Sequence, residues 1–182
     1  MVFAVIAAVV LGGVMTLGDF LWDVFQLRHR MTSGLIHGAA MCLFIGGFVG
    51  FRERRLIAGL IAGPVIGVLA AAGFYLLAPW MRYSAMFPMW AFFWLCFAFL
   101  QDRLSVQRRR GEAIARGLAA AVLSGLAFWA ISGIWTGRNP GGPDYLRHMW
   151  SWTLAFLPGF LALFAFRLPV PQPRTTRVPA HR

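Results

Sequence analysis

Lysine is absent from this 182-residue chain, and acidic residues number only six. All 17 basic residues are therefore arginine, and the net charge of +11 comes from guanidinium groups that stay protonated at any physiological pH. Charged residues make up 13% of the chain and hydrophobic residues 59%. Soluble domains carry about 25% charged residues. The composition excludes an ordinary soluble domain and predicts an integral membrane protein.

The sequence also lacks the common signatures of catalysis and metal binding. It contains no His-Glu-x-x-His, Gly-x-Ser-x-Gly, Walker loop, Gly-x-Gly-x-x-Gly or Cys-x-x-Cys motif. Its two cysteines, Cys42 and Cys96, each lie inside an apolar run, where a buried free thiol is the expected state. We therefore expect no metal site and no cofactor, and a non-enzymatic function.

Six uncharged runs divide the chain, each close to the roughly 20 residues that a helix needs to cross hydrocarbon. Because lipid cannot satisfy backbone amides, such runs should be helices. The predicted fold is all-α, a polytopic membrane protein whose residues 1–167 form a six-transmembrane-helix bundle, followed by a Pro/Arg-rich tail at 168–182. The predicted spans are approximately 2–25, 33–51, 56–78, 84–101, 115–136 and 147–166.

The distribution of arginine predicts how the spans are oriented. With six crossings, 12 arginines fall on the side of the two termini and 5 on the other side. Short basic loops remain cytoplasmic, so both termini should be cytoplasmic. Exclusive use of arginine favours a GC-rich bacterial genome and hence the inner (cell) membrane. The Arg-rich turn at 101–116 and the tail should lie on anionic headgroups; no aromatic-interleaved groove points to nucleic acid.

Small residues predict where helices approach closely. Gly59, Gly63 and Gly67 recur every four residues and so share one face of the third span. Pro64 beside them should kink that helix. The fifth span repeats the pattern at Gly117, Ala121 and Gly125.

The fourth span instead carries aromatic rings all round the helix, which cannot pack tightly everywhere. Rings there face lipid or fill the core in the commoner case, but they also form walls of apolar pockets. If the bundle opens between the third, fourth and fifth spans, it should hold membrane lipid. The wall residues predicted for this lipid-binding site are Phe74, Trp94, Phe97, Phe128 and Trp129.

Two groups of ionisable residues lie inside or beside the spans. Asp19, Asp23 and His37 flank the first hairpin, and Asp19 and His37 should lie at similar depth and approach each other. An Asp–Arg pair that finishes the hairpin is the alternative reading. Asp144 and His148 are one turn apart at the start of the sixth span, where Asp144 is also a suitable capping residue.

The order of elements resembles the Insig (insulin-induced gene protein) family. The resemblance lies in six spans, Gln101-Asp102-Arg103 at the end of the fourth, Ile131-Ser-Gly-Ile-Trp135 at the end of the fifth and Gly142-Pro-Asp-Tyr-Leu146 before the sixth. The family's glutamine in span five falls on Ala127 here, and the turn after Asp102 is longer. As a distant prokaryotic-type member, the chain would bind a lipid or sterol-like ligand between its helices. Asp102 would match a position linked to binding another membrane protein.

Three functions remain open from the sequence. The first is a non-enzymatic lipid-binding protein with a regulatory or scaffold role. The second is a small proton- or ion-coupled carrier that uses Asp19, Asp23 and His37. The third is a membrane enzyme that uses Asp144 and His148.

Overall fold

A computed structural model describes residues 1–25, 30–106, 109–135 and 144–164, without the side chains at 22, 23, 30 and 132–135. Within these ranges the chain is helical and has no strand. Each predicted span coincides with one helix to within five residues at either end. The helices are α1 (Val2–Val24), α2 (Arg30–Arg52), α3 (Leu56–Met81), α4 (Met86–Leu104), α5 (Arg110–Trp135) and α6 (Tyr145–Phe164), with a 3₁₀ turn at Arg82–Ala85 between α3 and α4.

Length and hydropathy identify four stretches of the described chain as able to cross a membrane. They are Val2–Leu21, Met31–Arg52, Leu56–Leu104 and Arg110–Ile131. The third stretch covers both α3 and α4, and α6 is not among the four. The all-helical, membrane-compatible character is therefore clear, whereas a count of six crossings remains a prediction.

Glycine brings α2 and α3 together, as the sequence predicted for one face of α3. Gly59, Gly63 and Gly67 are all buried. A Cβ added at Gly63 would collide with the carbonyl oxygen of Cys42, and one at Gly67 with the carbonyl oxygen of Gly38. The two backbones are thus in contact, and α3 continues as a helix through Pro64.

We expect Gly63→Ala to destabilise the protein by about 1–3 kcal/mol, because the added methyl meets backbone that cannot rotate away. Gly13→Ala is the matched control, since a Cβ there meets nothing within 4 Å. That control should gain up to about 1 kcal/mol from helix propensity alone. Unfolding of the purified variants in detergent, followed by circular dichroism, measures both. Equal stability of the two variants would contradict the close approach of α2 and α3.

Buried aromatic side chains pack between α4 and α6. Trp94 and Phe97 are fully buried, and the Trp94 ring occupies the space that a side chain at Gly159 would need. Phe160 meets the Trp94 ring edge to face, with centroids 5.8 Å apart. Edge-to-face ring pairs of this kind stabilise a core beyond the area they bury. The Trp94 ring thus links α4 to α6 through Gly159 and Phe160.

The beginnings of α1 and α5 and the ends of α2, α4 and α6 meet at one end of the bundle. We call it the Arg116 end; it contains Phe3, Arg52, Gln101, Arg116 and Leu163. Arg116 Nη1 donates to the side-chain oxygen of Gln101 at 2.9 Å and to the carbonyl oxygen of Leu163 at 3.1 Å. Arg52 lies over the rings of Phe3 and Phe164. Polar side chains and two arginines thus lie at this end, and the candidate site lies toward the opposite one.

Candidate functional site

A cleft opens between α2, α3 and α4, with a volume of about 240 Å³. One residue of α5, Phe128, and one of the 3₁₀ turn, Tyr83, complete its wall. Its remaining walls combine small residues with methionine and aromatic side chains. These are Gly34, His37, Gly38, Met41, Gly67, Ala70, Ala71, Phe74, Tyr75, Met86, Met89, Trp90 and Phe93.

The cleft exists because small and large residues alternate across the helix interfaces. Gly38 and Gly67 bring α2 and α3 into backbone contact. Further along α3, the small residues Ala70 and Ala71 line the cleft. On the opposite wall, the Trp90 ring is fixed by Phe128, with centroids 4.6 Å apart, and by Phe156 at 5.4 Å. A ring held on two sides cannot tilt to fill the gap, so the space stays open.

The structure places the five predicted wall residues in three different locations. Phe74 and Phe128 line the cleft. Trp94 and Phe97 lie instead in the closed core, both with no exposed surface. Trp129 is 58% exposed and points away from the bundle. The wall of the cleft thus contains two of the five rings, and their role in lipid binding stays a prediction.

Sequence reasoning missed the contribution of α4 methionines to the wall. Met86, Met89, Trp90 and Phe93 all line the cleft. Their spacing of three, four and seven residues places them on one helical face, and this periodicity was present in the sequence. Methionine is unbranched and adapts to ligands of irregular shape. This face therefore suits an apolar ligand better than a face of rigid rings alone.

A polar cluster lies beside the cleft and joins three helices. The indole N–H of Trp152 donates to Asp19 Oδ2 at 2.8 Å, and His148 Nε2 contacts the same oxygen at 2.9 Å. His37 Nδ1 lies 4.0 Å from the other carboxylate oxygen, Oδ1. The chain thus brings Asp19 of α1 together with His37 of α2, as the sequence predicted, and adds two residues of α6. The side chain of Asp23 lies outside the described part of the chain.

Asp144 and His148 have different partners. Asp144 Oδ1 accepts a hydrogen bond from the backbone N–H of Arg147 at 3.0 Å, which is the geometry of a helix N-cap. His148 reaches across to Asp19. The capping role expected for Asp144 is confirmed, and His148 belongs to the polar cluster through its contact with Asp19.

Asp102 lies at the Arg116 end, far from the cleft along α4. It is 4% exposed, and its carboxylate accepts a hydrogen bond from the backbone N–H of Arg109, which precedes α5. This bond ties the end of α4 to the residue before α5. The carboxylate is thus engaged within the chain, and its predicted role in binding another membrane protein stays a prediction.

Among the described residues, no group of three or more His, Cys, Asp or Glu side chains is arranged to hold a metal ion. The two cysteines, Cys42 and Cys96, are free thiols. The chemistry that the site offers is therefore an apolar cleft bordered by a carboxylate and two imidazoles. Comparison of the chain with family models, with curated proteins and with solved structures finds no match.

Proposed function

We propose that this chain is a non-enzymatic integral membrane protein that binds a lipid or sterol-like ligand in the cleft between α2, α3 and α4. The observation that carries the proposal is the apolar cleft itself, walled by Phe74, Met89 and Phe128 within helices that suit a bilayer. A regulatory or scaffold role, exerted through the bound lipid, fits a chain without catalytic motifs. It also agrees with what the resemblance to the Insig family implies.

The outer surface supports the membrane setting of this proposal. Large apolar side chains point outward along α3, among them Ile57 at 73%, Ile61 at 65% and Leu76 at 68% exposure. A soluble monomer rarely presents such a continuous apolar face, whereas hydrocarbon solvates it well. We propose that all six helices cross the inner (cell) membrane with both termini cytoplasmic, because the 12 to 5 arginine distribution favours that orientation.

The wall chemistry favours lipid over water as the occupant. A cavity lined by apolar groups gives water too few hydrogen-bonding partners, and an apolar cavity of about 150 Å³ in another protein stays dry and binds benzene. The cleft here is larger, at about 240 Å³. In a bilayer the most abundant apolar molecule at its mouth is lipid, so lipid is the occupant that the surroundings supply.

Replacing Phe74 or Phe128 by alanine should lower the amount of lipid that co-purifies with the protein by about tenfold, since losing a ring contact of about 1.4 kcal/mol weakens binding tenfold. Native mass spectrometry of the detergent-extracted protein measures the retained lipid. Phe99→Ala is the matched control, because that ring is 41% exposed on α4 and does not line the cleft. The proposal fails if all three variants retain the wild-type lipid complement while remaining folded.

A proton- or ion-coupled carrier is the second candidate, and the polar cluster favours it. Asp19 with two imidazoles from α2 and α6 forms a group that can bind and release a proton across three helices. Proteoliposomes loaded with a pH-sensitive dye would show proton flux that depends on Asp19 if this candidate is correct. An unchanged leak in Asp19→Asn vesicles would remove it.

A further inference from the structure

His37 belongs to both parts of the site. It lines the apolar cleft together with Phe74 and Met89, and its Nδ1 lies 4.0 Å from Asp19 Oδ1. The side chain is 22% exposed. Any change in the charge of this imidazole therefore changes the polarity of the cleft wall.

We infer that lipid binding in the cleft is controlled by pH through His37, with the neutral imidazole as the lipid-binding form. This inference rests on the proposed function. Histidine is the side chain whose ordinary titration falls between about pH 5 and pH 8. Of the residues that line the cleft, His37 is therefore the one whose charge a fall in pH changes first.

One physical effect sets the sign of this control. A lipid in the cleft displaces the water that would solvate an imidazolium, and a charge facing apolar groups is strongly disfavoured. Protonation of His37 and lipid binding therefore oppose each other, and linkage makes the competition reciprocal.

The other titratable groups around His37 in the described chain do not reverse this sign. From α1 it is faced by Asp19, and from α6 His148 contacts the opposite oxygen of that carboxylate. From α3 and the 3₁₀ turn the phenols of Tyr75 and Tyr83 line the same cleft. Phenols stay neutral until about pH 10. A second positive charge on His148 at low pH would weaken the pull of Asp19 on His37 but would not make the cleft more apolar.

The test uses an uncharged probe, a long-chain alcohol that carries a photoreactive diazirine, with the full-length protein in phosphatidylcholine vesicles. Neither probe nor vesicle changes charge between about pH 8 and about pH 5, so any pH dependence comes from the protein. We expect the apparent affinity, read from crosslinks to peptides that contain Phe74 or Met89, to fall by up to about tenfold per pH unit below the midpoint. That is the limit for one linked proton.

Variants of two histidines test whether the pH dependence of probe binding comes from His37. His37→Gln, or His37→Asn if the first does not fold, should bind the probe equally at both pH values. His148→Gln is the matched control, because His148 touches the same carboxylate but does not line the cleft; it should keep the pH dependence.

Each outcome then has one meaning. A wild-type protein that the probe never labels would remove the lipid-binding proposal as well. Equal labelling of the wild type at both pH values would remove the pH control and leave lipid binding intact. A pH dependence that survives in the His37 variants, or is lost only in His148→Gln, would overturn the assignment to His37.

Discussion

Replacing Arg116 by alanine should destabilise the protein by about 3 kcal/mol or more, the largest effect expected of any arginine in the described chain. The side chain is 11% exposed and contacts Glu112, Gln101 and the carbonyl oxygen of Leu163. Removing the guanidinium withdraws a charge and hydrogen bonds from groups that stay buried, which costs more than the network contributes when intact. Unfolding in mixed SDS micelles, followed by circular dichroism, measures the change.

Arg103→Ala is the matched control for this prediction, because Arg103 is exposed in the last turn of α4. The control removes the same charge and should change stability by about 0.5 kcal/mol or less. A double variant with Glu112→Gln should recover part of the loss, since the largely buried carboxylate, which then keeps only Arg109 as an ionic partner, is neutralised. Equal losses of stability in Arg116→Ala and Arg103→Ala would show that stability depends on net charge and not on the network.

Trp94→Ala should cost about 3–5 kcal/mol, because it removes a fully buried ring and leaves a void against Gly159. The folded fraction should nevertheless keep its lipid, since Trp94 does not line the cleft. Thermal unfolding combined with native mass spectrometry separates these two quantities. The opposite result is expected for Phe74→Ala, which should lower the retained lipid strongly and the stability less than Trp94→Ala does.

Trp129→Ala provides the surface control for Trp94, since it removes the same ring from a position that is 58% exposed. It should lower stability much less than Trp94→Ala does, and it should leave the retained lipid unchanged. If Trp94→Ala lowered the lipid per folded molecule as strongly as Phe74→Ala, the prediction that Trp94 contributes to stability and not to lipid binding would be wrong.

The sequence predicted the helices and one polar contact because both depend on local patterns. Uncharged runs mark the helices, and a short hairpin forces Asp19 and His37 to similar depth whatever the rest of the chain does. The glycine face of α3 was likewise readable, since its period matches one side of a helix.

The wall of the cleft was only half predictable, because α4 carries rings on every side. Which ring faces the core depends on where a helix distant in sequence carries a small residue. Gly159 on α6 is such a residue, and the Trp94 ring packs against it. His148 shows the same limit: spacing along α6 pairs it with Asp144, whereas packing places it on Asp19. Contacts between the first and last helices leave no trace in a local pattern.

The placement of α6 has a consequence for how the protein is made. α1 packs more extensively on α6 than on α2, and Asp19 finds its two closest partners on α6. α6 is synthesised after α1, so Asp19 lacks these two partners until α6 has been made. Pairing between distant parts of a chain is slow to form. Packing of α1 in this bundle is thus completed only after α6 has joined it, and a chain that stops before α6 leaves the Asp19 carboxylate without its two closest partners.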